Sequence, residues 1–141
     1  MANMYKNIIF FIPSIEDGGV EKNLFNVVNE FSKKKINITV ITSTKKFDKR
    51  FTSKIKIIHP IFFNDNASRY QKYFSSFYEL LKLKILKKKF LLFSFQANFY
   101  SIIFAKIFNL RIIIRSNTSI TGWSKNLIKK FLYKIVFEKA D

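Results

Sequence analysis

Two adjacent glycines, Gly18 and Gly19, run directly into Val20-Glu21-Lys22-Asn23-Leu24, and no other stretch of the chain has residue types and spacing so close to chemistry. The whole sequence holds only three glycines, so a pair at one corner is a concentrated use of them. Glycine reaches backbone angles that other residues avoid, and N–H groups here would precede an amphipathic segment. The corner could therefore receive an anion or a sugar hydroxyl at the start of a helix. The same pair would also serve as a tight turn with no ligand. Neither G-x-G-x-x-G nor G-x-x-x-x-G-K-[ST] is present, so no dinucleotide or P-loop site is licensed. Asp17 and Glu21 flank the pair as possible bases or orienting acids, although a helix dipole explains Glu21 equally well.

Two more polar clusters follow nearly pure hydrocarbon. Gln96-Ala97-Asn98 comes after FLLFSF, and Arg115-Ser116-Asn117-Thr118-Ser119 comes after RIII. Polar groups collected at strand ends suit a hydroxyl-rich ligand, and an arginine there could hold a phosphate or carboxylate. They would equally make ordinary solvated loops. Thr42, Ser43 and Thr44 offer less. His59, the single histidine, precedes Pro60 with no carboxylate or nucleophile at a readable spacing, so a structural role is expected for it. No catalytic constellation emerges. With no cysteine and one histidine, the chain has neither a thiolate nor an imidazole metal cluster.

The elements that must position these residues are written in the apolar pattern. NIIFFI (7–12), ended by Pro13, reads as a strand buried on both faces. Val20, Leu24, Val27, Val28 and Phe31 then recur at helical spacing, and lysines 33–35 suit the end of that helix. INITVITS (36–43) is a second strand and IKIIHPIFF (55–63) a third, interrupted at His59-Pro60. Residues 68–89 form a helix capped by Ser68, with Tyr70, Phe74, Phe77, Leu81 and Ile85 on one face. Its LKLKI tail also alternates like an edge strand. FLLFSF (90–95) is a strand, 96–109 a helix, 111–116 a strand, and about 123–139 a final helix. This alternation predicts an α/β fold, a doubly wound and mainly parallel Rossmann-like sheet.

Length and composition allow one domain with a normal core: 141 residues, 48% hydrophobic. The N-terminus has too short an apolar run for a secretory signal, and a cytoplasmic setting is expected. Twenty-six basic residues against nine acidic ones give a formal charge of +17, which ordinarily calls for a polyanionic partner. Yet nearly all are lysines, and Ile, Asn and Phe are swollen alongside them, so AT-rich coding accounts for part of the excess. A basic nucleic-acid-binding module is one alternative reading. A membrane protein with residues 90–110 spanning is another, although Gln96, Asn98, Lys106 and Asn109 would be costly in lipid.

The first strand, the run Gly18-Gly19-Val20-Glu21-Lys22-Asn23-Leu24 and INITVITS together resemble the N-terminal domain of family 4 GT-B glycosyltransferases, where G-G-[AV]-E-[RK]-x-[LV] follows the first strand. RIIIRSNTSI resembles that family's segment ending in Arg and Asn, and Lys139-Ala140-Asp141 the start of its ADxIVxxS segment. The resemblance implies an acceptor-side domain of an enzyme that transfers a sugar from a nucleotide sugar to a glycan or lipid-linked acceptor in bacterial surface polysaccharide or lipopolysaccharide synthesis. It implies no metal and no cofactor beyond that co-substrate. It places Gly18, Gly19 and Glu21 at the donor phosphates or acceptor, and Gln96, Asn98, Arg115 and Asn117 on the acceptor side. Many members carry a histidine where Gln96 and Asn98 stand, so no catalytic residue is assigned. The donor-binding domain with its E-x7-E element has no counterpart in these residues, so 1–141 reads as one domain, incomplete at its C-terminus and inactive alone. A separate donor-binding chain is one expected partner, and anionic lipid touching the basic, aromatic segment 68–89 is another, with no nucleic acid.

Overall fold

The computed structural model describes residues 6–16, 18–61, 66–86 and 89–115, with 134, 135 and 138. Among these residues five strands, β1 (Asn7–Phe11), β2 (Asn37–Ile41), β3 (Lys56–Ile58), β4 (Leu91–Ser94) and β5 (Ile112–Ile114), form one all-parallel sheet in the order β3-β2-β1-β4-β5. Helices α1 (Gly19–Ser32), α2 (Arg69–Ile85) and α3 (Asn98–Ile107) connect them. This is a Rossmann-like α/β arrangement. The chain winds outward from β1 to β3, then returns to place β4 on the other side of β1. The reversal makes the carboxyl ends of β1 and β4 a topological switch point, where such sheets hold ligands.

Burial on both faces explains why the strands lack alternation. On one face Ile8, Phe10 and Ile12 pack with Leu24, Phe25 and Val28 of α1. On the other, Ile9, Phe11 and Leu92 pack with Leu80 of α2 and Ile102 and Ala105 of α3. Phe10 is fully enclosed, stacked on Phe93 at 5.1 Å between ring centres and edge-on to Phe31 at 6.0 Å. Truncation there to alanine would cost about 3–5 kcal/mol. Phe11 meets Phe77 of α2 at 4.7 Å, tying the second layer to the sheet.

Local sequence sets the helix limits. Ser68 and Gln71 form a reciprocal capping box at the start of α2. At the end of α3 the chain turns through Asn109 at φ 48, and Leu110 N–H reaches the Ala105 carbonyl at 2.8 Å while Asn109 N–H reaches that of Lys106. Asparagine tolerates this left-handed turn, which closes the helix as a Schellman motif.

The structure decides four sequence readings. The third strand is Lys56–Ile58, shorter than 55–63, because His59 is drawn into side-chain bonds and Pro60 cannot donate to a ladder. LKLKI is helical throughout, with α2 running to Ile85. Of the α2 residues expected on one face, Tyr70, Phe74 and Ile85 point outward whereas Phe77 packs against Phe11 and Phe104, and Ser75, Ser76, Glu79 and Leu80 are buried. Residues 90–110 divide into β4, a loop and α3, and among the described residues no helix is long and apolar enough to cross a membrane. The final helix expected at about 123–139 lies outside the described residues except for positions 134, 135 and 138.

Candidate functional site at the carboxyl edge

The loops leaving β1, β2, β4 and β5 are laced together at the switch point. Phe95 N–H reaches the Phe11 carbonyl at 3.0 Å, and Ser14 N–H is accepted by the Gln96 side-chain oxygen at 3.1 Å. Ile15 N–H goes to Thr44 Oγ1 at 3.0 Å, and Ser43 N–H to the Pro13 carbonyl at 3.0 Å. Bonds from loop to loop thus hold this edge together. Thr44, uninformative in the sequence, is one of the anchors.

Gln96 and Asn98 come together with Arg115, as expected of neighbouring strand ends. Gln96 and Asn98 bond to neighbouring loops. Asn98 Nδ2 donates to the Arg115 carbonyl at 2.7 Å, and Ser94 Oγ lies 2.9 Å from Asn98 Oδ1, 2.8 Å from the Gln96 carbonyl and 3.0 Å from Ser101 Oγ. One hydroxyl hydrogen serves one acceptor at a time, so Ser94 is a hub with partners to spare. Between Gln96 and Asn98, Ala97 sits in the left-handed region at φ 55. For a residue with a Cβ that conformation costs about 1–2 kcal/mol, held in place by the bonds on either side.

Arg115 brings a cation to this edge. Its guanidinium carbon lies 5.6 Å over the Phe95 ring. With the Asn23 carboxamide oxygen turned toward it, Nη1 and Nη2 donate at 3.0 and 2.5 Å. Asn23 was not singled out in the sequence, and with 91 residues between the two no local spacing could have paired them. The bond ties the first turns of α1 to the end of β5.

The glycine pair behaves otherwise than its residue type suggests. Gly18 is extended (φ −132, ψ 179) and Gly19 is the first residue of α1, so neither uses a left-handed angle. A Cβ on Gly18 would stand 2.7 Å from Oε2 of Glu21, which is only 5% exposed and folds back against the corner. Close approach explains that glycine. A Cβ on Gly19 would meet nothing within 4 Å. Gly19 is exposed, at a helix N-terminus with no side-chain cap. Asp17 and Asn117 lie outside the described residues.

His59 does have a carboxylate partner, contrary to the sequence reading. Nε2 lies 2.9 Å from Asp48 Oδ2 and Nδ1 2.9 Å from the Thr42 carbonyl. A carbonyl only accepts, so Nδ1 carries a hydrogen. The histidine pins the end of β3 to the loop after β2, which agrees with a structural role. The eleven-residue separation lies within a loop whose path the sequence does not give. Among the described residues no group of His, Cys, Asp or Glu could hold a metal ion. No protein-family model matches this chain, and no curated protein matches it either.

Proposed function

We propose that the chain is the acceptor-side domain of a GT-B glycosyltransferase, working on a nucleotide sugar and a glycan or lipid-linked acceptor in bacterial surface polysaccharide or lipopolysaccharide synthesis. The observation that carries this reading is Gly19. Its backbone is helical and nothing occupies the space a side chain would take, so the fold does not demand a glycine there. A bare helix start at a switch point, four residues before the Asn23 that holds Arg115, is suited to donor phosphates or an acceptor oxygen. In this reading Gly18, Glu21, Gln96 and Asn98 position the corner, and Gly19 and Arg115 face the ligand. A donor-binding domain, on the same or a separate chain, would supply the nucleotide contacts.

The outward aromatics of α2 favour peripheral contact with anionic lipid. Tyr70 and Phe74 are each 78% exposed, and Arg69, Lys72 and Lys84 share the helix. Rings at headgroup depth with cations around them are how such helices lie on a bilayer. Sedimentation with anionic vesicles at low salt, and little with neutral ones, is the expected result.

The transferase reading is tested by ligand-observed NMR with a panel of nucleotide sugars and oligosaccharides, comparing parent, Gly19→Ala and Arg115→Gln. Binding of at least one ligand, weakened in both variants, is expected. Absence of binding across the panel, or equal binding by all three proteins, would overturn it.

A further inference from the structure

The opposite, amino-terminal edge of the sheet carries a feature that the glycine corner does not use. Two depressions adjoin there. One, of about 460 Å³, is lined by Lys33, Lys34, Lys35, Asn37 and Lys54. The other, of about 300 Å³, is lined by Asn7, Asn37 and Lys56, the first residues of β1, β2 and β3, together with Lys54. Asn37, Ile38 and Lys54 belong to both, so the two form one trough.

Five lysines meet there from three stretches: the turn after α1, the turn before β3, and the start of β3 itself. None of the lining residues is acidic. Glu30 pairs with Lys33, and among the described residues no carboxylate pairs with Lys35, Lys54 or Lys56. The described acids Glu16, Glu21 and Asp48 stand toward the other edge, beside the loops leaving β1 and β2. A helix dipole accounts for lysines just past α1, but not for Lys54 and Lys56. Gathering like charges in a concavity opposes folding and favours a counter-ion.

We propose that this trough is a binding site for an anion carrying more than one phosphate group. Lysine ammonium groups attract phosphate as point charges without the fixed fork of arginine, so clustered charge rather than one planar group is what they select. Phe90, the ring at the trough, is only 2% exposed, which leaves no aromatic surface for stacking a base. The ligand is therefore read through its phosphates. A soluble polyphosphorylated molecule and a phosphorylated lipid headgroup share that chemistry. The proposal does not rest on the transferase reading, because it uses none of the same residues.

The test is calorimetric titration of the full chain with inorganic tripolyphosphate, alongside flotation with phosphatidylcholine vesicles with and without a polyphosphorylated phosphoinositide. The parent is compared with K35Q/K54Q/K56Q and with K45Q/K46Q/K49Q, which removes equal charge at the other edge; circular dichroism confirms that both fold. Tripolyphosphate binding weakened about tenfold or more by the first triple alone is the expected result. If only the phosphoinositide vesicles bind, with the same dependence, the site stands with a lipid headgroup as its ligand. Binding of neither probe, or equal loss in both triples, overturns the proposal.

Discussion

Asn98→Ala is the most informative perturbation of the carboxyl edge. It removes the donor to the Arg115 carbonyl, a neutral bond at 2.7 Å from a half-buried side chain, and one of the three partners of Ser94 Oγ. The first loss costs about 1 kcal/mol and leaves a carbonyl underbonded. The second costs less, since Ser94 keeps the Gln96 carbonyl and Ser101 Oγ. Alanine returns up to about 0.7 kcal/mol in helix preference at the start of α3. The net loss is about 1 kcal/mol, or about 3–5 °C in Tm for a domain of this size. Urea denaturation followed by circular dichroism measures it, and the cycle with Ser94→Ala should show coupling of about 0.5 kcal/mol or more. A change within a few tenths of a kcal/mol, or strict additivity with Ser94→Ala, would refute the idea that Asn98 laces these loops together.

Ala97→Gly should stabilise the protein by about 0.5–1 kcal/mol, because glycine takes φ 55 freely, and the midpoint of urea unfolding should rise. Gly18→Ala should cost about 1 kcal/mol, since its Cβ must displace the Glu21 carboxylate, whereas Gly19→Ala should be neutral or stabilising by up to about 1 kcal/mol. Equal losses at both glycines in the same unfolding assay would show that the corner has been misread. Burial, partly offset by Arg69, raises the Tyr73 phenol above its ordinary value of 10.0. The folded state holds that proton more tightly, so this contribution is present below pH 10 and lost as pH rises beyond it. The alkaline fall in stability should be shallower in Tyr73→Phe.

The sheet and its connections were legible because strands buried on both faces appear as unbroken apolar runs such as NIIFFI and FLLFSF. Helical spacing likewise marked α1. Periodicity gives which residues share a face, not which way the face points. The α2 face of Tyr70, Phe74, Phe77, Leu81 and Ile85 thus divides, with Tyr70, Phe74 and Ile85 outward and Phe77 packed on Phe11, while Ser75, Ser76, Glu79 and Leu80 are buried. At the site, the rule that ligands gather at strand ends located Gln96, Asn98 and Arg115, but it could not say that their polar groups bind each other. The partners Asn23, Ser94 and Asp48 were invisible, since side-chain pairing across 4 to 92 positions depends on loop paths that local sequence does not encode. Residue type misled at Gly18 and Gly19, where close approach and open space replace the backbone freedom expected of glycine.

The central claim is that the ligand end of the molecule is the crevice between the carboxyl ends of β1 and β4. Amide chemical-shift mapping of the labelled chain during titration with a nucleotide sugar tests it most directly. Shifts at Ser14–Glu16, Gly18–Glu21, Phe95–Asn98 and Arg115 are predicted, beside any that the diphosphate causes at the lysine trough. Shifts confined to the amino edge around Lys33–Asn37 and Lys54–Lys56, or spread evenly over the lysine surface, would contradict it.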